Sequence, residues 1–216
     1  MIESLLWHGH ASFSLHHSPR IMIDPWSVPS TDPKPDIILV SHEHYDHCSP
    51  ADVNKLRHSE TIVIASKGAA QLLDGEVKVL RPWQVMNVGR VSIRAVPAYT
   101  LNGDHPMDRE DLGFVISADY TDLYYAGDTD FVPELRNLRC DIAILPAQAT
   151  EGVMDLNAAS AFAEHIRPRY IVPSHLGHQV SSATKLELQR FERGLSAYST
   201  VVTLPLGQPS ELFAHR

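Results

Sequence analysis

The sequence predicts an α/β or α+β protein in which two β-sheets pack together with helices outside. Short runs rich in Val, Ile, Leu and aromatics, each bounded by Gly, Pro or Asp, recur along the chain. A few helical stretches fall between them. The alternation of meander-like strands with helices occurs twice over, with no low-complexity tract, linker or repeat of fixed period.

The first strands, Ser4–Trp7, Ala11–His16 and Arg20–Asp24, are spaced like a meander. Asp36–Val40 carries the continuous apolar run Ile37-Ile38-Leu39-Val40, which reads as a strand buried on both faces. Thr61–Ala65, Glu76–Leu80, Gln84–Val88 and Val91–Val96 continue the series. Leu112–Ala118, Leu123–Ala126, Asp141–Leu145 and Tyr170–Val172 repeat it, and Thr200–Leu204 with Glu211–Ala214 close it. Among the helices, Ser49 reads as the N-cap and Pro50 as the first position of a helix through Ala51–His58. Lys67–Leu73 is short and ends near Gly75. Asp155 can cap Leu156–Ile166, whose apolar positions 158, 159, 162, 163 and 166 share one face and which stops before Pro168. Ser181 or Ser182 can cap the last helix, Ala183–Leu195. Its apolar face fits a homo-oligomer or a helix covering its own sheet equally well.

At 216 residues, 44% hydrophobic and 20% charged, the composition is that of a globular chain and too apolar for disorder. Length allows one large domain or two small ones; a single domain over residues 1–216 is expected. Lys plus Arg is 18 against 26 for Asp plus Glu, a formal charge of −8, and no Lys/Arg run appears. Nonspecific nucleic-acid binding is therefore not expected, although a bound cation could still supply positive charge for a nucleotide substrate. Cys48 and Cys140 lie far apart, which excludes a disulfide framework and a cysteine-rich zinc site. The N-terminus has an early Glu3 and no apolar run long enough for a signal segment. No stretch approaches the roughly 20 apolar residues of a membrane span, so a cytoplasmic protein without a membrane partner is expected.

Histidine is the anomaly, with 13 copies. It is the commonest metal ligand as well as an acid/base near neutral pH. The sharpest signal is His42-Glu43-His44-Tyr45-Asp46-His47, placed between the buried strand and the helix at Ser49. In extended chain, positions 42 and 44 point to one side, so both imidazoles can meet one cation. As the chain turns toward the helix, Asp46 and His47 can swing to a second position nearby. Imidazole with carboxylate suits Zn, Mn or Fe and leaves a place for water.

This run resembles the H-x-H-x-D-H signature of the metallo-β-lactamase fold superfamily. Later residues follow the same order. Tyr125-Ala126-Gly127-Asp128-Thr129-Asp130 looks like the family's G-D-T turn, in which the aspartate bridges two metal ions, and Val172-Pro173-Ser174-His175 is similar to the segment with the last histidine ligand. Gly9-His10-Ala11-Ser12-Phe13, Ile23-Asp24-Pro25, Asp141–Pro146 and Met154-Asp155 resemble a branch of small single-domain hydrolases that includes the ascorbate-6-phosphate lactonase-like proteins. The resemblance runs from about Leu6 to His175. It implies a four-layer αββα sandwich with metals at one edge, and the ligand set His42, His44, Asp46, His47, Asp128 and His175. His10 and Asp24 then read either as partners that orient ligand histidines through their free ring nitrogens, or as a buried polar residue and a turn cap.

One ligand departs from the pattern. Many relatives place a histidine after the strand matching Val91–Val96, where this chain reads Val96-Pro97-Ala98-Tyr99-Thr100. The next histidine is His105, in Asp104-His105-Pro106. Either a loop returns His105 to His42 and His44, which is the favoured expectation, or that metal has two histidines and the centre is mononuclear or weakly occupied. His178 can face a substrate or solvent. His8, His16, His17, His58, His165 and His215 lack ligand-like spacing, and Cys48 reads as a small packing residue.

The expected function is metal-dependent hydrolysis of an ester-like bond in a small molecule: a phosphodiester, a lactone or similar. Two divalent ions, Zn2+ first and Mn2+ or Fe as alternatives, would share Asp128 and activate a bridging hydroxide. Asp46 would serve as ligand and as the local proton acceptor that orients the nucleophile. The loops after Asp24 and around Tyr99–Asp111 would supply specificity. The alternatives are an iron-dependent oxidoreductase on the same fold and a metal-binding module without catalysis. Nucleic-acid-processing relatives usually insert an extra domain, for which this chain has no room.

Overall fold

The computed structural model describes residues 1–30, 33–147, 153–177 and 180–208. Six strands form a first sheet in chain order: β1 (Leu5–Gly9), β2 (Ser12–Leu15), β3 (Ile21–Ile23), β4 (Ile37–Val40), β5 (Ile62–Ala65) and β6 (Lys78–Val79). Seven more form a second, again in chain order: β7 (Val85–Val88), β8 (Val91–Pro97), β9 (Leu112–Ala118), β10 (Thr121–Tyr125), β11 (Ile142–Pro146), β12 (Tyr170–Ser174) and β13 (Thr200–Val201). Each sheet opens with antiparallel neighbours, up to β3 and up to β10, and finishes with parallel ones. The parallel halves need crossovers: β3–β4 and β10–β11 are joined without an α-helix, and the others carry α1 (Pro50–Leu56) and α2 (Lys67–Ala70) in the first sheet and α3 (Leu156–Ile166) and α4 (Ser182–Leu195) in the second.

Side-chain alternation sets the layers. In β4, Ile37 and Leu39 join a cluster with Ile93, Phe114, Ile116 and Ile144 of the opposite sheet. Ile38 and Val40 instead pack with Val53 and Leu56 of α1. In β10, Leu123 and Tyr125 face the inter-sheet core, whereas Tyr124 packs with Phe162 and Ile166 of α3. The result is helix, sheet, sheet, helix, the expected four-layer sandwich.

The expected caps form. The Ser49 hydroxyl accepts from the Asp52 N–H, the Asp155 carboxylate from Ala158, and the Ser181 hydroxyl from Thr184, which selects Ser181 over Ser182. The differences lie at element ends. The helix expected to reach Leu73 stops at Ala70; Leu73 is buried with α1 from the turn that follows, so its apolar character reports packing rather than helix. Strand β6 shrinks to two exposed residues at a sheet edge, and β13 to two. The expected strand Glu211–Ala214 lies outside the described residues, as do His178 and His215. Among the described residues, no helix is long and apolar enough to cross a membrane.

Candidate metal centre

Parallel strands present their carboxyl ends at one edge of the sandwich, where open α/β sheets bind ligands. Asp24 follows β3, Ser41 and His42 follow β4, Asp128 follows β10 and His175 follows β12. His10 sits in the turn between β1 and β2.

The His42–His47 segment is a turn rather than extended chain. Asp24 accepts the Ser41 N–H at 2.7 Å, which draws the chain out of the sheet, and the His47 and Cys48 N–H groups both bond the His44 carbonyl. The two imidazoles of His42 and His44 still meet, with ring centroids 4.7 Å apart. The turn also brings His47 to 4.1 Å from His42.

His105 returns to the same place through a loop pinned at several points. The Ala98 N–H bonds the Asp111 carbonyl, and Asp130 takes the Leu101 N–H at 2.7 Å. The Thr100 hydroxyl accepts the His105 N–H at 3.0 Å while the Thr100 N–H bonds the His105 carbonyl. The buried ring of His105 lies 4.9 Å from His42 and 4.7 Å from His44.

Asp128 is the centre. Its Oδ2 lies 3.8, 3.6 and 3.4 Å from Nε2 of His42, His105 and His175, and its Oδ1 lies 3.2 Å from Nε2 of His47. Three of these histidines have the other ring nitrogen occupied. His47 Nδ1 donates to Asp24 at 2.7 Å, and His105 Nδ1 faces Asp111 at 3.2 Å. His42 Nδ1 meets the Ser41 hydroxyl, which itself donates to Asp24. With Nδ1 engaged in each, their Nε2 atoms all point at the Asp128 carboxylate. The buried atoms His42 Nε2, His47 Nε2 and Asp128 Oδ1 have no hydrogen-bond partner.

Such an arrangement fits a cation. Ligand atoms about 2.0–2.2 Å from a tetrahedral zinc lie roughly 3.4 Å from one another, close to the spacings around Asp128. Ligand-capable atoms of His42, His44, His105 and Asp128 lie within 4.8 Å of one another, as do those of His10, Asp46, His47 and His175. Asp128, in the first group, also lies 3.2 Å from His47 and 3.4 Å from His175 of the second. Burial alone would lower the pKa of His47, but the charges of Asp128 and Asp24 outweigh it and hold the imidazole well above its ordinary value. Burial would likewise raise Asp128; the histidines around it, His47 foremost, push it well below the usual carboxylate range. Burial, with the charge of His47, keeps His42 far down and neutral.

The structure also separates the roles of His10 and Asp24. Asp24 accepts from Ser41 N and Oγ, His47 Nδ1 and Tyr125 Oη, all at 2.7 Å or less, so its oxygens are spent on orienting others. His10 orients an aspartate, not a histidine. Gly177 N–H donates to its Nδ1 at 3.3 Å, which leaves the proton on Nε2 to donate to Asp46 Oδ2 at 3.0 Å. Its main chain also ties the two sheets together, accepting from His175 N–H and donating to the Gly177 carbonyl. Burial would raise Asp46, but the bond from His10 and the charge of His47 hold it below its ordinary pKa.

Sequence reasoning did not single out Ser41, Asp111 or Tyr125 as individual site residues. Ser41 directly precedes His42 and Asp111 follows His105 by six positions, but neither has a spacing that marks it; only the folded loops show their contacts. Cys48 is buried against Ala69, as its packing role requires.

The family model described as a β-lactamase superfamily domain matches residues 4–175, a span that holds every one of these side chains. A UPF0173 metal-dependent hydrolase of Thermoplasma acidophilum is 28% identical over 227 residues, covering 96% of this chain and 98% of its own. A UPF0173 protein of Pyrococcus abyssi is 32% identical over 197 residues, covering 86% and 90%. The crystal structure of a candidate metal-dependent hydrolase from Parabacteroides distasonis aligns with a TM-score of 0.82 at 29% identity, over 93% of this chain and 91% of that one. The chain belongs to the β-lactamase superfamily and carries the metallo-β-lactamase fold.

Proposed function

We propose that this chain is a hydrolase that depends on two divalent cations and cleaves an ester-like bond, a phosphodiester, lactone or similar, in a small molecule. The observation that carries it is the buried Asp128 carboxylate with four imidazole Nε2 atoms within 3.8 Å. His42, His44, His105 and Asp128 would hold one cation, and Asp46, His47, His175 and Asp128 the other. Mixed imidazole and carboxylate donors suit zinc first, with manganese and iron as alternatives. Such cations, when bound, supply Lewis acidity that brings water toward ionisation near neutral pH and polarises the oxygen under attack.

The chain's own residues do the rest. Asp24, Ser41 and Asp111 fix three imidazoles with Nε2 inward, so the site is preorganised. Asp46, held by His10, accepts a hydrogen bond from the attacking water and orients it; its lowered pKa favours a carboxylate that stays charged while doing so. Beside Asp46 and His10 the mouth carries an aromatic rim. Trp26 lies 5.5 Å from His10, and the 75% exposed Tyr45 lies 5.8 Å from Trp26. This rim suits a small organic substrate with a flat apolar part, and the charge of −8 disfavours a polyanionic partner.

The test is hydrolysis of bis(p-nitrophenyl) phosphate and a panel of simple lactones by zinc- or manganese-loaded protein. The expected result is turnover of at least one class that falls at least about 100-fold in Asp46→Ala, while the circular dichroism spectrum and unfolding midpoint stay near wild type. Equal turnover by wild type and Asp46→Ala, or none by wild type on either class, contradicts the assignment.

A further inference from the structure

The guanidinium of Arg109 is a hub that no ligand role explains. It ends the short 3-10 turn Met107–Arg109 that follows His105. Its Nη2 lies 2.8 Å from Glu43 Oε1, its Nε 3.4 Å from Asp111 Oδ2, and Nη1 and Nη2 both sit 3.3 Å from His44 Nε2. Glu43 is the residue between His42 and His44, and Asp111 is the buried carboxylate behind His105. One planar cation therefore joins the turn that carries two histidines to the loop that carries the third.

The seat of Glu43 is itself specific. A Cβ on Gly68 of α2 would fall 2.3 Å from Glu43 Oε2 and 2.8 Å from its Cδ. Glycine at 68 leaves the space in which the carboxylate rests.

We propose that Arg109, held by Glu43 against Gly68, is a positioning residue: it fixes the His105 loop against the His42–His44 turn so that the three imidazoles can close around one cation. An isolated, solvent-exposed ion pair is too weak and too mobile to do this. Here the guanidinium spans two carboxylates, Glu43 on the turn and Asp111 on the loop, in a fixed fork that lysine does not reproduce. The proposal rests on His42, His44, His105 and Asp128 holding a metal.

The test is zinc titration of the full chain against a chromophoric chelator, read as two affinities, alongside the unfolding midpoint. In Arg109→Ala one affinity is expected to weaken 10- to 100-fold, as when a partner behind a ligand is removed, and the other to change less than about twofold. Arg109→Lys recovers part of the loss. Gly68→Ala displaces only the end of the Glu43 side chain, so it remains a foldable probe if Arg109→Ala is unstable; it weakens the same affinity by a smaller factor. Wild-type affinities in Arg109→Ala and Gly68→Ala, or a lowered midpoint without any change in affinity, overturn the proposal. Failure of the wild type itself to take up zinc overturns the metal assignment beneath it, and that failure is distinguishable because it precedes any substitution.

Discussion

Asp24 shows why some site residues could be named from the sequence and their partners could not. An aspartate followed by proline after a short apolar run marks a strand end, but its four donors come from positions 41, 47 and 125. His10 was legible as a partner of the site, yet its target, Asp46, emerges only from the Gly177 N–H that fixes its tautomer. A histidine outside the centre gives a test of burial at the same scale. His8 is buried with Nε2 2.7 Å from the Ser14 hydroxyl, and burial, then the charge of His16, lowers its pKa from 6.5 to about 4. Protonation therefore favours the unfolded chain. The stability His8 allows is complete above pH 6.5, falls as pH drops toward 4, and changes no further below that. His8→Gln, which keeps a polar partner for Ser14, is expected to flatten this part of the unfolding free energy against pH, from urea titrations, by on the order of 3 kcal/mol. An unchanged slope between pH 6.5 and 4 would contradict the assignment.

At the scale of elements, strands with two packed faces were the most legible. Ile37–Val40 needs apolar groups on both sides, because one face meets the opposite sheet and the other meets α1. Edges were the least legible: β6 buries neither of its residues, so no apolar pattern records where it begins or stops. The turn after β10 is the element on which the centre most depends. Gly127 has φ +64°, and a Cβ there would lie 2.7 Å from the Leu112 carbonyl oxygen, a backbone atom that cannot move aside cheaply. Gly127→Ala is expected to lower stability by roughly 1–3 kcal/mol and to weaken metal uptake by shifting Asp128. A variant with wild-type urea midpoint and metal content would show that the turn tolerates a side chain.

Across the whole molecule, the site draws on segments from His10 to His175 that only the sandwich brings together. The order of motifs and the doubled strand pattern were legible because each half repeats the same antiparallel-then-parallel logic. The return of His105 was an expectation rather than a derivation. Its cause is a set of loop hydrogen bonds through Thr100, Asp111 and Asp130, which have no signature in spacing. The central claim is that these segments enclose two cations around Asp128. Elemental mass spectrometry of the purified, unchelated protein, expressed as metal per chain, tests it most directly. The account predicts close to two zinc or manganese ions in the wild type and close to one in His105→Ala. A wild type that holds no divalent metal after reconstitution, or a single ion that His105→Ala leaves in place, would contradict it.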